Sequence, residues 1–498
     1  VFGRVLVANR GEIALRVLRS LRDMGIESVA VYSDADRTAP HVLAADQSRR
    51  IGEAPATRSY LDVPSVVAAA LDAGCQAVHP GYGFLSESAA FATACAEAGL
   101  TFIGPPAEAI RVMGSKLASR RAMEAAGVPV VPGGPDGDGA DDAALKAFAS
   151  SIGYPVLVKA SAGGGGKGMR IVGEPAALPA ALALCRSEAE SAFGDGTLYL
   201  ERYLARPRHI EIQVFGDHRG EVFHLGEREC SVQRRHQKII EESPSPAVDE
   251  RLRARMGEAA VAAARAVGYR GAGTVEFLLD EAGEFYFLEM NTRLQVEHPV
   301  TEEVLGVDLV EAQVRTAAAE PLPFAPSDLR RRGHAVECRL YAEDPGRDFL
   351  PQAGPLLLVR FPQGPGIRVD SAVREGDEVT SHYDPMLAKI IAWGPDRPAA
   401  LARMERALED TVVLGLCTNR DYLLAAVRHP AMRSGDLSTH FVDEHLADWG
   451  PPEQLPDEVL ALAAMAREGG RSAVATKGSS REPGPWGRLG AWRLSAER

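Results

Sequence analysis

Four consecutive glycines ahead of a lysine, in Ser161-Ala162-Gly163-Gly164-Gly165-Gly166-Lys167-Gly168-Met169, make a backbone that can close around phosphate oxygens. Glycine reaches positive φ without a Cβ penalty, so successive N–H groups can turn toward an anion while Lys167 adds charge. The run is not a P-loop. Gly168 stands where that motif needs Ser or Thr, and Ser161 where it needs its first Gly. Strand-like runs flank it, Tyr154 to Ala160 and Met169 to Val172, with no helix opening after the loop. A glycine hairpin between two strands reads as a mobile lid over a nucleotide, ATP, in preference to a surface linker.

A second candidate set spans Thr274-Val275-Glu276-Phe277-Leu278-Leu279, an acidic turn from Asp280 to Gly283, and Glu284 to Asn291. Two β-prone runs around a glycine turn predict a hairpin. Pairing Leu279 with Glu284 puts Glu276 opposite Phe287, and period-two alternation then places Glu276, Glu289 and Asn291 on one face. Two carboxylates and an amide are hard oxygen ligands that suit Mg²⁺ or Mn²⁺; the competing reading is a polar, solvent-facing edge. The chain continues Thr292-Arg293-Leu294-Gln295-Val296-Glu297-His298. Arg293 offers a planar fork for a small oxyanion, and Glu297 can act as base on whatever it holds. The basic cluster from Cys230 to Lys238 is too compact for nucleic acid and fits phosphate or carboxylate. Within it Arg234 and Arg235 read equally well as structural ion pairs, whereas His236 and Lys238 read as site residues.

These groups need elements to position them. The 498-residue chain is too long for one core, and at roughly 150 residues per domain it implies three. Alternating strands and helices from Gly3 to Ile103 predict a parallel α/β sheet: strands at Gly3 to Ala8, Ser28 to Tyr32, Ala77 to His79 and Thr101 to Ile103, helices at Glu12 to Met24 and Val63 to Ala73. The first strand ends in Asn9-Arg10-Gly11-Glu12, which lacks the dinucleotide fingerprint and is either a tight turn with a solvated Arg or a ligand contact. From Ile110 to about Glu320 the pattern is α+β. From Gly333 to about Leu446, strands at His334 to Leu340 and Pro355 to Phe361 precede a helix at Pro398 to Leu408. After Trp449 the chain is rich in Pro, Gly and Ser, and ends in the strand-like WGRLGAWRL.

A formal charge of -13 argues against nonspecific nucleic-acid or anionic-membrane binding. Six cysteines without CxxC spacing indicate neither a zinc site nor a disulfide framework and fit a reducing, cytoplasm-like compartment, the mitochondrial matrix included. No apolar run approaches the ~20 residues that span a bilayer.

GGGGKGM, ERYL at 201–204, RHIEIQ at 208–213, ECSVQRRHQK, GTVEF and EMNTRLQVEHPVTE resemble the ATP-grasp core of the biotin carboxylase family. HPGYGFLSE at 79–87, GHAVECR at 333–339 and HYDPMLAK at 382–389 extend the resemblance from Arg4 to about Leu446. It implies a three-domain ATP-grasp fold, α/β and α+β: an N-terminal parallel α/β domain (1–110), an ATP-grasp domain (111–320, lid about 131–203) and a C-terminal α+β domain (333–446), followed by a linker and the start of a further segment (447–498). It implies nucleotide contacts from Lys116, Lys159, Gly165, Gly166, Lys167, Met169, Glu201, Leu204, His209, Gln233, His236 and Leu278. Glu276, Glu289 and Asn291 would hold Mg²⁺ or Mn²⁺. Lys238, Arg293, Gln295, Val296 and Glu297 would cradle bicarbonate, and Arg339 and Tyr82 would lie at biotin. Where many relatives have Lys after the hinge Glu201, this chain has Arg202, at the nucleotide rim.

The implied activity is ATP-dependent carboxylation of biotin through carboxyphosphate, with Arg293, Glu297, Lys238 and Arg339 as the catalytic set. Biotin would be a carried substrate, because the AMKM-type tetrapeptide of a carrier is absent from this sequence. The implied partners are a biotin carboxyl carrier domain, a carboxyltransferase subunit and a second copy of the chain. The ending resembles the segment that follows biotin carboxylase in acyl-CoA carboxylase α-subunits, so the expectation is such a subunit shortened before its carrier. The alternatives are a freestanding biotin carboxylase, another ATP-grasp ligase, or a silent scaffold, the last opposed by the intact charged set.

Overall fold

The computed structural model describes residues 1–134, 141–160, 169–193 and 195–451, which leaves the glycine run 161–168 and the WGRLGAWRL ending outside the described residues. Strands β1 (Arg4–Val7), β2 (Glu27–Ser33), β3 (Gln47–Gly52), β4 (Ala77–His79) and β5 (Thr101–Phe102) form a parallel sheet in the order β3-β2-β1-β4-β5. Val5, Leu6 and Val7 are all buried, as expected for a parallel strand covered on both faces. The helix Gly11–Asp23 turns Ile13, Val17 and Leu21 onto it at helical spacing. β3, QSRRIG, escaped the sequence reading because it carries neither alternation nor an apolar run. Arg10 is not solvated: the guanidinium is ion-paired, donating to Asp36 at 2.7 and 2.8 Å, with its carbon 4.2 Å from the centre of the Tyr383 ring.

A small antiparallel sheet follows: β6 (Gly133–Gly134), β7 (Val156–Ala160), β8 (Met169–Val172) and β9 (Leu198–Arg202), in the order β6-β9-β7-β8. Helices Asp142–Ile152 and Leu178–Phe193 cover it through Leu145, Val156, Val158, Leu182 and Leu200.

The site is carried by an eight-stranded antiparallel sheet. Its strands are β10 (Arg208–Gly216), β11 (Val222–Arg234), β12 (Gln237–Ser243), β13 (Gly271–Leu279), β14 (Phe285–Asn291), β15 (His334–Tyr341), β16 (Ile367–Ser371) and β17 (Met386–Gly394), in the order β14-β13-β10-β11-β12-β15-β17-β16. Pairing of β12 with β15, Ile240 opposite Cys338 and Glu241 opposite Glu337, carries the sheet across the change of sequence pattern near 320–333. One face packs on helices Glu250–Ala266 and Arg397–Asp410 through Ile210, Ile212, Met256 and Val275, and through Ile240, Cys338, Leu401 and Met404. The other face carries the charged residues, with helix His298–Leu305 packed on part of it through Val300, Val304, Ala335 and Ile391.

The hairpin of β13 and β14 forms, but in a different register. Asp280 N–H donates to Glu284 O at 2.8 Å, and Asp280 Oδ1 accepts from Ala282 N–H and Glu284 N–H at 2.9 Å each, so the turn is three residues long with Gly283 at φ +80°. Leu279 therefore pairs with Phe285, not Glu284, and Phe277 faces Phe287. A bulge then leaves Leu288 unpaired, and Glu276 comes opposite Glu289 and Thr274 opposite Asn291. The bulge restores the shared face that the expected register gave without one.

Candidate active site

Neighbouring strands β13 and β10, and β12 beyond β11, bring Glu276 (β13), Glu211 (β10) and Lys238 (β12) together at the foot of the loop 292–297. Lys238 Nζ donates to Glu211 Oε2 at 2.5 Å, Glu276 Oε1 at 2.8 Å and Glu297 Oε1 at 2.6 Å, which uses all three ammonium protons. Glu211 and Glu297 are fully buried. Burial alone would push Lys238 toward neutrality, yet the three carboxylates outweigh it and raise its pKa well above that of a free lysine.

Arg228, on β11 and fully buried, supports the cluster from behind. Its Nε pairs with Glu211, Nη1 donates to Gln213 Oε1 at 2.7 Å and Thr301 Oγ1 at 2.9 Å, and Nη2 to Thr274 Oγ1 at 3.1 Å. On the other flank Arg339 (β15) donates from Nη2 to Glu297 Oε2 at 3.0 Å and from Nε to Glu241 Oε1 at 2.5 Å. Burial opposes ionisation of Glu297, but Lys238, Arg339 and Arg228 together hold it well below the usual carboxylate range. For Glu241, burial and then repulsion from Glu297 outweigh the pull of Arg339 and the smaller one of Lys238, and its pKa is pushed up to about 7.

Glu276 is the hub on the hairpin side. Oε1 accepts from Lys238, from Asn291 Nδ2 at 2.8 Å and from Gln295 Nε2 at 2.9 Å, and Oε2 lies 2.7 Å from His209 Nε2. Gln233 Nε2 donates to His209 Nδ1 at 2.6 Å, so the ring proton sits on Nε2, toward Glu276. Glu289 is exposed opposite Glu276, and its pKa is raised by the crowding of protein around it and then by repulsion from Glu276. Arg293 donates to Glu87 Oε2 at 2.8 Å, Gln295 Oε1 at 2.9 Å and Asn291 Oδ1 at 3.0 Å.

The structure thus gathers His209, Gln233, Lys238, Glu276, Asn291, Arg293, Gln295, Glu297 and Arg339 into one bonded network. Leu278 sits beside it, opposite His209 in the β10–β13 register. Lys159 and Glu201 form a separate ion pair across β7 and β9. Lys116 opens the helix Lys116–Ala125, Met169 is exposed at the start of β8, and Leu204 lies in the loop between β9 and β10. His236 stands exposed in the β11–β12 turn, where Arg235 and His236 both take positive φ, at 49° and 66°. Gly165, Gly166 and Lys167 lie outside the described residues. Tyr82 packs beside Lys389, whose Nζ is 5.8 Å from the ring centre. Two cavities of about 420 and 390 Å³ lie elsewhere, against helix Ala89–Glu97, and none of the clustered residues lines them.

Sequence reasoning missed Glu211, Arg228, Glu87 and Glu241. Glu211 and Glu87 stand inside motifs already singled out, RHIEIQ and HPGYGFLSE, and for Glu211 a charge between Ile210 and Ile212 was an available signal. Arg228, between Glu227 and Glu229, and Glu241, beside Glu242, carry no such signal.

Three family descriptions match the chain: "Biotin carboxylase, N-terminal domain" over residues 1–110, "Carbamoyl-phosphate synthase L chain, ATP binding domain" over 115–325, and "Biotin carboxylase C-terminal domain" over 337–444. The chain is 50% identical over 443 residues to a biotin carboxylase of Nostoc, covering 89% of this chain and 99% of that one. It is 54% identical over 446 residues to the mitochondrial methylcrotonoyl-CoA carboxylase subunit alpha of Glycine max, again 89% of this chain but 61% of the relative, so it spans about three fifths of that subunit's length. The crystal structure of a Campylobacter jejuni biotin carboxylase complexed with β,γ-ATP superposes with a TM-score of 0.84 at 46% identity, covering 89% of this chain and 99% of the other. With its charged cluster on the sheet that these relatives share, the chain belongs to the biotin carboxylase family of ATP-grasp proteins.

Proposed function

We propose that the chain is an ATP-dependent ligase that carboxylates N1 of biotin with bicarbonate, the first half-reaction of a biotin-dependent acyl-CoA carboxylase. The observation that carries this reading is Glu297, a buried carboxylate held between Lys238 and Arg339 on the loop that leaves the Glu289–Asn291 strand end. Base, anion-binding cations and metal-type oxygens converge there.

The hairpin fits a divalent cation: two carboxylates face each other across β13 and β14, and their repulsion is what such a cation relieves. Glu276, Glu289 and Asn291 would hold Mg²⁺ or Mn²⁺, which supplies charge to offset the nucleotide phosphates. Asn291 Oδ1 accepts from Arg293 in this structure, so holding the cation through that oxygen would take the place of its bond to Arg293. Lys116, Lys159, Gly165, Gly166, Lys167 and Met169 would bind the nucleotide phosphates with the lid. Glu201, Leu204, His209, Gln233, His236 and Leu278 would border the adenine and ribose.

Lys238, Arg293, Gln295 and Val296 hold bicarbonate, and Glu297 takes its proton. The resulting oxyanion attacks the γ-phosphorus of ATP in line, ADP leaves, and carboxyphosphate forms. Its decomposition gives CO₂ and phosphate; phosphate removes the N1 proton, N1 attacks CO₂, and Arg339 offsets the charge on the ureido oxygen beside Tyr82. A carboxylate clasped by two cations is a weak base. As Lys238 and Arg339 turn to the substrate anions, their hold on Glu297 falls and its basicity rises, so substrate binding itself arms the base.

The domains assigned to these roles are 1–110, 111–320 with a lid at about 131–203, and 333–446. The match to methylcrotonoyl-CoA carboxylase α subunits supports a place in a carboxylase complex. Its partners there would be a biotin carboxyl carrier domain, a carboxyltransferase subunit and a second copy of the chain. The match to 99% of the Nostoc biotin carboxylase supports a second reading, a freestanding subunit of acetyl-CoA carboxylase. No described helix is long and apolar enough to cross a membrane.

The test is phosphate release with ATP, Mg²⁺ and bicarbonate, with and without free biotin. Stimulation by biotin is expected; turnover indifferent to biotin but dependent on an amine would make the chain a different ATP-grasp ligase.

A further inference from the structure

The motif His382 to Lys389 has no part in the chemistry above, yet its last residue ends inside the site. Lys389 lies in the middle of β17 and is fully buried. Its closest polar contact is not a carboxylate: Nζ donates to Val296 O at 2.9 Å, whereas Glu12 Oε2 is 3.3 Å away and Asp370 Oδ2 3.8 Å. Asp370 is already engaged by Arg368, which donates to its Oδ2 at 2.8 Å. Glu12, in the first turn of helix Gly11–Asp23, is buried and its carboxylate makes no hydrogen bond among the described residues; burial pushes its pKa up to about 7, and Lys389, 3.3 Å away, is the main charge that draws it back and the one it pairs with.

A lysine kept wholly from water costs several kcal/mol unless it is paired and bonded. A merely structural pair would put the shortest contact on the carboxylate. Here that contact goes to the loop. Three other carbonyls of that loop are held locally: Leu294 O by Arg293 at 3.2 Å, Gln295 O by the His298 ring at 2.7 Å, Glu297 O by Val300 N–H at 3.3 Å. Val296 O is held from a strand 93 residues away. Its carbonyl shares a peptide plane with the nitrogen of Glu297, so fixing one fixes where the Glu297 side chain departs. The same ammonium lies against the Tyr82 ring, 5.8 Å from its centre. Tyr82 is fixed in turn by Asn9, whose Nδ2 donates to Pro80 O and Tyr82 O at 2.7 Å each.

We propose that Lys389 is a positioning residue: balanced by Glu12, it locks the Val296–Glu297 peptide and backs the Tyr82 ring, setting the base and the biotin platform from one buried ammonium. The inference rests on the reading of Glu297 as base and Tyr82 as biotin contact. It also gives the Asn9 to Glu12 turn a purpose, since that turn supplies both the Tyr82 clasp and the counter-charge.

The experiment is a double-mutant cycle of Lys389→Met and Glu297→Gln in the full chain, reading kcat and the KM values for bicarbonate and ATP. A shift of about 1 Å at a reacting group costs ~10²-fold, so Lys389→Met is expected to lower kcat by about that factor and raise the bicarbonate KM, with the ATP KM within about twofold of wild type. Lys389→Arg, which still donates to Val296 O, recovers most of the loss. The double variant is expected to be no worse than Glu297→Gln alone, because Lys389 acts through Glu297. Additive losses, or a folded Lys389→Met with wild-type kcat and bicarbonate KM, overturn the proposal. Should Lys389→Met not fold, Lys389→Gln carries the same cycle. Near-normal turnover by Glu297→Gln alone would instead overturn the base reading on which this one stands.

Discussion

Arg339 donates from Nη2 to Glu297 Oε2 at 3.0 Å, to the carboxylate oxygen that Lys238 leaves free. The base is thus clasped at both oxygens in the ligand-free protein, and each cation contributes to its low pKa. Removing Arg339 takes away one of them.

Arg339→Met therefore raises the pKa of Glu297. A base works only when ionised, so the acid limb of the rate profile moves to higher pH. The measurement is bicarbonate-dependent ATP cleavage without biotin, across pH, which isolates the effect on Glu297 from Arg339's own contact with biotin. An acid limb that stays in place would show that another group is titrating.

Glu276 and Glu289 repel each other across the hairpin in the absence of a cation. Glu289→Gln relieves that repulsion, so the metal-free variant is expected to melt at or above the wild-type temperature. With Mg²⁺ and ADP present the order reverses, because wild type gains the full binding energy and the variant has lost a ligand. Thermal unfolding with and without Mg²⁺-ADP reads both arms, and the Mg²⁺ needed for half-maximal turnover should rise about tenfold. Equal stabilisation of the two proteins by Mg²⁺-ADP would remove Glu289 from the metal site.

That pair also marks how far the sequence could be read. Alternation along Glu276, Glu289 and Asn291 was visible, and so was their common face. The register was not, because it depends on Asp280 using its side chain to close a three-residue turn, and on a bulge at Leu288 that compensates. The parallel sheet was legible from apolar runs such as Val5 to Val7, whereas QSRRIG, a strand held by its neighbour β2 rather than by pattern, was not. Arg293 and Glu297 stood out as charges four residues apart, and Lys238 as part of the basic cluster from Cys230 to Lys238. Arg228 and Lys389 did not, because what gives each its role is a partner far away in sequence: Thr301 for one, Val296 for the other.

Arg228 is expected to matter to stability before catalysis. It bonds Glu211, Gln213, Thr274 and Thr301 while fully buried, so Arg228→Met strands Glu211 with Lys238 as its sole remaining cation. Breaking a buried pair from one side costs about 3–5 kcal/mol. Urea unfolding should show a lower midpoint with an unchanged m value. A loss under about 1 kcal/mol would mean that the strand relaxes enough to let water reach Glu211.

Glu241 titrates where the protein works. Burial lifts its pKa from the ordinary 4.5 to about 7, with Arg339 offsetting only part of the effect. Between those two values the folded state holds a proton that the unfolded chain releases, so this group makes unfolding progressively easier as pH rises from about 4.5 to about 7. Glu241→Gln cannot titrate and still offers an oxygen to Arg339 Nε. Its stability relative to wild type should therefore climb across that window and level off above it. Taking the difference between the two proteins cancels groups common to both, including Glu297, whose depressed pKa stabilises the fold in the opposite sense, above pH 4.5. The reading is unfolding free energy at closely spaced pH from 5 to 8. A constant difference would mean that Glu241 stays ionised throughout, with Arg339 paired to it at every pH.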